Sequence, residues 1–141
     1  MPKPKPVSGL VIRYDYLWRN EARRGQRDGS KDRPCVVVVA IQSVQGGDFR
    51  TLVAAVTHTE PEPEEGIEMP TKVKRHLGLD KDPSWIIVSE VNEIDWSDPG
   101  IIPVSNAKWE YGFVPAALAT ALRDAILNRM TQKNLQITRR K

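Results

Sequence analysis

Apolar positions fall in short runs separated by polar stretches marked with glycine and proline, the pattern of a strand-rich chain. The longest run, Cys35-Val36-Val37-Val38-Val39-Ala40, has no polar interruption and contains four valines. A half-exposed strand alternates, so this run predicts a strand buried on both faces, continuing to about Gln42. Before it, Leu10 to Trp18 predicts a first strand, apolar and aromatic with partial alternation. After it, a Gly-Gly turn at Val44-Gln45-Gly46-Gly47-Asp48 leads into a third strand, Phe49 to Thr57, paired back on the second.

The chain then turns polar. His58 to Gly66 alternates carboxylates and prolines and predicts an exposed acidic loop. Ile67 to Pro70 predicts a short strand. Thr71 is placed to cap a brief helix, Lys72 to Leu77, which Gly78 stops. Ser84 to Ile94 predicts another strand, and Ile101 to Val104 a short edge strand because of Pro103. Pro115 suits the first turn of a helix running from Ala116 to Met130. Leu118, Ala121, Leu122, Ala125, Ile126 and Met130 share one face of that helix, which is expected to pack on the core.

Consecutive strands with short connections imply an antiparallel meander. The expected fold is mainly β (α+β): a small barrel or curled sheet with a short helix and a C-terminal helix. The expected organisation is a flexible basic tail over 1–8, one domain over 9–132, and a basic tail over 133–141.

At 141 residues the chain is long enough for one core without staples. A single cysteine, Cys35, excludes an internal disulfide framework and suits a reducing compartment. It opens a buried strand and reads as an inert small hydrophobe. No run approaches the roughly 20 apolar residues of a membrane helix, and the start lacks the apolar segment of a secretory signal. The expectation is a cytoplasmic protein with no membrane association.

The net charge of +3 hides an asymmetry. Residues 1–34 carry nine basic and four acidic side chains, residues 35–104 five and twelve, and residues 105–141 seven and two. Two basic ends around an acidic middle predict a dipolar surface that could hold a polyanion on one face. The cations concentrate in the loop before the valine strand: Arg19, Arg23, Arg24, Arg27, Lys31 and Arg33 stand against Glu21, Asp28 and Asp32. Such a loop on a rigid strand is a plausible grip for phosphates.

Several chemistries are excluded. One cysteine and two histidines, His58 and His76, cannot supply an ordinary zinc site. No phosphate-cradling GxxxxGK[ST] or GxGxxG motif occurs, and no GxSxG elbow. The acidic loop lacks the glycine and carbonyl pattern of a calcium loop. No metal and no cofactor is expected.

Gly9-Leu10-Val11, the variable polar loop, Arg33-Pro34 leading into Val36-Val37-Val38-Val39, and then Leu52-Val53-Ala54-Ala55-Val56-Thr57 resemble the MazF/PemK toxins of bacterial toxin–antitoxin systems. The segment from Ser84 to Asp95 is similar to a later strand of that family, and the likeness runs from about Gly9 to Asp95. The resemblance implies an SH3-like barrel, a homodimer, a cognate acidic antitoxin, and sequence-specific, metal-independent cleavage of single-stranded RNA by attack of the 2′-OH.

Carried over position by position, Arg33 matches the family's catalytic arginine and Thr57 the catalytic threonine ending a strand. Attack on phosphorus builds negative charge on the phosphoryl oxygens, and a fixed guanidinium is suited to hold it. Asp28 lies where the family often has an acidic residue in a Gly-x-Glu loop, here Gly25-Gln26-Arg27-Asp28-Gly29, a departure from the pattern. Strand alternation places His58 opposite Thr57 and Thr59 beside it, making Thr59 a secondary catalytic candidate. Arg23, Arg24, Arg27, Lys31 and His58 are candidate substrate-binding residues. The general base stays unassigned. Trp18 and Trp109 could stack on bases, but core or dimer packing is the preferred reading. Two rival functions are a CcdB-like gyrase poison and a non-catalytic SH3-like nucleic-acid-binding module.

Overall fold

The computed structural model describes residues 2–42 and 48–140. Among the described residues, nine strands form one sheet with three helices. The strands are β1 (Leu10–Tyr14), β2 (Arg33–Gln42), β3 (Phe49–Thr57), β4 (Gly66–Glu68), β5 (Trp85–Ile87), β6 (Glu90–Asp95), β7 (Ile101–Ile102), β8 (Gly112–Phe113) and β9 (Gln136–Arg139). The helices are α1 (Arg19–Arg23), α2 (Thr71–Leu77) and α3 (Ala116–Thr131). The sheet runs β4-β5-β3-β2-β1-β7; β6 pairs with β3 and β9, and β8 with β1. All pairings are antiparallel except β6 with β9. A mainly antiparallel β fold with helices is what the hydrophobic pattern predicts.

The valine strand is buried on both faces, as its unbroken apolar run requires. Val36 and Val38 point into one cluster with Val11, Ala54 and Val56, covered by Val73 and Leu77 of α2 and by Leu122 and Ile126 of α3. Cys35 and Val37 point the other way, into a second cluster with Leu10, Ile12, Tyr14, Val53, Ala55, Ile94 and Ile101. Each of β1, β2 and β3 therefore feeds alternate residues to two cores. The β2–β3 register, Cys35 opposite Ala55 and Gln42 opposite Phe49, shifts by one residue between Val37 and Val39. The predicted turn over Val44–Asp48 lies, apart from Asp48, outside the described residues.

Several sequence expectations are corrected. The first strand stops at Tyr14, and the basic loop contains α1. Glu21, three residues past Trp18, reaches back to accept from the Trp18 N–H at 3.0 Å, a helix-start contact that takes Trp18 out of the strand. Thr71 does not cap α2 but lies inside it, after Pro70; Gly78 ends that helix at a φ of 72°. The acidic loop includes a 3-10 turn, Pro63–Glu65. The strand expected over 84–94 is two strands with different partners, β5 on β3 and β4, and β6 on β3 and β9. In α3 the buried stripe is narrower than its periodicity predicts: Met130 is 40% exposed, and Ala121 is exposed too.

Among the described residues, both flanking segments make contacts with the sheet and its connections. The Trp96 Nε1–H donates to the Pro4 carbonyl at 2.8 Å, and the Lys3 ammonium lies over the Trp96 ring. Residues 136–139 form β9 in register with Glu90–Glu93 of β6, and Arg140 is buried. Backbone pairing with β6 removes the solvation that keeps a basic segment loose.

Candidate active site

β2 begins at Arg33, and the proline that follows restricts Arg33 to an extended backbone. Arg33 pairs with Tyr14, at the end of β1. Its guanidinium stacks on the Trp18 ring, 5.0 Å from the centroid. Among the described residues its Nε is buried and has no hydrogen-bond partner. Trp18 in turn meets Tyr16 edge to face, with centroids 4.8 Å apart. The Tyr16 hydroxyl donates to Glu90 Oε1 at 3.2 Å. A continuous line of side chains thus joins Arg33 to Glu90.

Arg33, Trp18 and Glu90 border a cleft of about 1290 Å³, with Tyr16 buried behind them. Arg33, Thr57, Thr59, His58, Arg23, Arg24 and Lys31 line it together. Asp28 and Arg27 do not: both are exposed and lie outside the cleft lining. A shared loop does not give its members a shared direction, because α1 turns Arg23 and Arg24 away from the following turn. The cleft is not uniformly basic, since six arginines and lysines and seven carboxylates line it. The cations come mainly from α1 and the entry to β2; Glu60, Glu64, Glu65 and Asp80 come from the loops after β3 and α2.

Thr57 ends β3, and its Oγ1 accepts the backbone N–H of Thr59 at 3.1 Å. This local turn fixes the hydroxyl oxygen while leaving its hydrogen free to donate. Strand alternation does not continue past Thr57, so His58 lines the same cleft instead of the opposite face. The His58 ring is tied down, with Nε2 2.9 Å from Asp80 Oδ2 and Nδ1 3.0 Å from the Pro83 carbonyl.

Ser84 lies 3.1 Å from His58 Nδ1, which puts serine, histidine and aspartate in contact. The group is not built as a nucleophilic triad. Ser84 is 1% exposed, and the buried Lys74 ammonium donates to its Oγ at 2.8 Å and to Asp80 at 2.9 Å. The bond to Oγ draws on one of the hydroxyl's two lone pairs and lowers its nucleophilicity, and burial keeps a substrate away from it. Among the described residues, His58, Asp80 and Asp82 also lie within metal-ligand reach of one another, but Lys74 already supplies a cation there. The Lys74 hydrogen bond holds the Asp80 carboxyl below its ordinary range, with His58 adding to the effect.

Glu90 is the cleft residue that sequence reasoning left without a role. Burial raises its carboxyl above the ordinary value, although the Arg19 N–H (3.0 Å) and Tyr16 hydroxyl bonded to Oε1 act in the opposite direction. Its signal was the polar pair Ser89-Glu90, which ends the apolar run Trp85–Val88. Glu21, also in the cleft, behaves differently. Burial works against its charge, but the Ser30 hydroxyl at 2.6 Å, the Trp18 N–H, Arg33 and Arg24 together hold it below the usual range. Two carboxylates in one cleft are therefore pushed in opposite directions, the arrangement that separates a proton acceptor from a fixed charge. Burial pushes the Cys35 thiol up, in keeping with an inert core residue.

No protein-family model, curated protein or solved structure matches this chain. Its own geometry therefore carries the functional reading. Among the described residues no helix is long and apolar enough to cross a membrane.

Proposed function

We propose that this chain is a MazF/PemK-like toxin, a metal-independent endoribonuclease that cuts single-stranded RNA. The observation that carries the reading is Arg33: a cleft guanidinium stacked on Trp18, its buried Nε without a hydrogen-bond partner among the described residues, lining the same cleft as the Thr57 hydroxyl. An arginine stacked on an aromatic ring, which among the described residues makes no ion pair at contact distance and feels Glu21 only through space, is a preorganised receptor for phosphoryl oxygens. Burial of β1, β2 and β3 on both faces fits the SH3-like barrel that the resemblance implies.

In the proposed step the ribose 2′ oxygen bonds to the adjacent phosphorus while the bond to the 5′ oxygen breaks. Arg33 holds the developing charge, and the Thr57 hydroxyl donates to a phosphoryl oxygen. Glu90, as carboxylate, takes the 2′-OH proton; its raised basicity suits that task. The 5′ oxygen leaves as an alkoxide that takes a proton from solvent water, giving a 2′,3′-cyclic phosphate and a 5′-hydroxyl. Thr59 acts through its N–H on Thr57, as a positioning residue. Arg23, Arg24 and Lys31 hold neighbouring phosphates, giving affinity without sequence information. Asp28 and Arg27 have no part in this reading.

The partners proposed are single-stranded RNA, a second copy of the chain and an acidic antitoxin seated on the cleft's cations, in a cytoplasmic setting. Exposed Phe113, Leu127 and Met130 supply apolar surface for the dimer. The test is cleavage of a long single-stranded RNA in EDTA by the purified protein, beside Arg33→Ala and Thr57→Ala. Discrete cuts with cyclic-phosphate ends, lost in both variants, are expected. Intact RNA with folded protein sinks the nuclease reading in favour of a gyrase poison or a binding module.

A further inference from the structure

The segment between β1 and β2 carries α1, and with it most of the cations of the cleft. Its two ends meet around one side chain, Arg140, which is 7% exposed. Arg140 Nη1 donates to the Asp15 carbonyl at 2.6 Å and to Asn92 Oδ1 at 3.0 Å. Nη2 lies 3.3 Å from Asp15 Oδ2 and 3.5 Å from the Arg27 carbonyl. The guanidinium also covers the Tyr14 ring at 5.2 Å. One planar fork therefore touches the start of the segment at Asp15 and its return at Arg27.

The acceptors it holds are themselves clamps on the segment. Asp15 Oδ2 accepts the Gly29 N–H at 3.0 Å. Asn92 accepts the Leu17 N–H at 2.9 Å and returns a donor to the Leu17 carbonyl at 2.8 Å. The fit is close: a Cβ on Gly29 would stand 2.3 Å from the Tyr16 carbonyl oxygen, so only glycine lets the two strands of the loop approach. Arg140 reaches this point because β9 runs parallel to β6, and its own N–H bonds the Glu93 carbonyl at 2.8 Å.

We infer that Arg140 is a positioning residue: carried by β9, it braces the segment from Asp15 to Gly29 and so sets where the α1 cations stand in the cleft. The consequence for RNA rests on the proposed nuclease reading; the brace itself does not. Buried charge-assisted bonds of this kind are worth more than exposed ones, and removing the cation leaves Asp15 and Asn92 short of a donor. Lysine offers a single point charge and cannot span the same acceptors.

The experiment is amide hydrogen exchange and single-stranded RNA binding on the full chain, for Arg140→Ala, Arg140→Lys and the neighbouring Arg139→Ala. Arg140→Ala is expected to speed exchange at the Leu17 and Gly29 amides by about tenfold or more while the β3 amides stay protected. RNA binding should weaken by about tenfold, the size of one lost buried charged contact. Millimolar methylguanidinium should restore both, and Arg139→Ala should leave the Leu17 and Gly29 amides unchanged. If Arg140→Ala does not fold, Arg140→Lys carries the same readouts with smaller changes. Unchanged exchange at Leu17 and Gly29 overturns the brace. Faster exchange with unaltered binding overturns its role in placing the cations. A wild-type protein that binds no RNA overturns the nuclease reading and the cation role, while the exchange arm decides the brace alone.

Discussion

The Arg33 guanidinium rests on the face of Trp18, 5.0 Å from the ring centroid, with its buried Nε unsatisfied among the described residues. An aromatic neighbour orients the cation without neutralising it, whereas a carboxylate would do both. Arg33→Lys should keep the fold and lose cleavage by about a hundredfold or more, as expected for removing a fixed donor to a developing oxyanion. Single-turnover kinetics on one oligonucleotide check this. Activity within a few-fold of wild type would remove Arg33 from the chemistry.

Glu90 offers a prediction with two signs. Its carboxyl is raised in the fold by burial. The unfolded chain therefore loses this proton first, and the contribution of Glu90 to stability is full below the ordinary carboxylate pKa and is lost as pH rises through the raised value. Glu90→Gln should thus unfold at a higher temperature than wild type at neutral pH, with the difference vanishing in acid. The same variant should lose the acidic limb of the pH–rate profile together with most activity. Calorimetry across pH and a rate profile decide both parts.

Salt dependence separates the cleft cations from their sequence neighbours. Arg23 and Arg24 line the cleft, and Arg27 does not. On single-stranded RNA each phosphate contact contributes a salt slope of about 0.7. Arg23→Ala and Arg24→Ala should each reduce the slope by about that amount, while Arg27→Ala should leave it unchanged. Equal effects at all three positions would mean a diffuse basic surface and no defined path.

Lys74 tests the reading of the Ser84–His58–Asp80 group as structural. Its buried ammonium bonds Asp80, Ser84 and the Asp82 carbonyl. Lys74→Met should destabilise the protein by about 1–3 kcal/mol, because it takes the charged donor from the buried Ser84 hydroxyl and from the Asp82 carbonyl, while the half-exposed Asp80 regains solvent. Ser84→Ala should cost about 1 kcal/mol and leave any RNA cleavage intact. Chemical denaturation measures the first, and loss of cleavage in Ser84→Ala would reopen the group as catalytic.

Local chemistry in the sequence determined the strand-rich architecture. An unbroken Val36–Val39 run has only one comfortable environment, a strand covered on both sides, and that is where it lies. Arg33 and Thr57 were singled out by the resemblance to the MazF/PemK toxins; the local pattern by itself marks each only as a strand end, Arg33 by its proline and Thr57 by the polar loop that follows. Their meeting in one cleft was not legible, since it depends on β2 and β3 pairing Cys35 with Ala55. Glu90 and Arg140 were hidden for the same reason. Glu90 is raised by burial and is hydrogen-bonded by Tyr16 and Arg19, more than seventy positions away, and Arg140 is fixed by Asp15, 125 positions away. Periodicity and turn chemistry report on neighbours within a few residues. Burial, and the charge that burial perturbs, depend on which distant segments the sheet brings together.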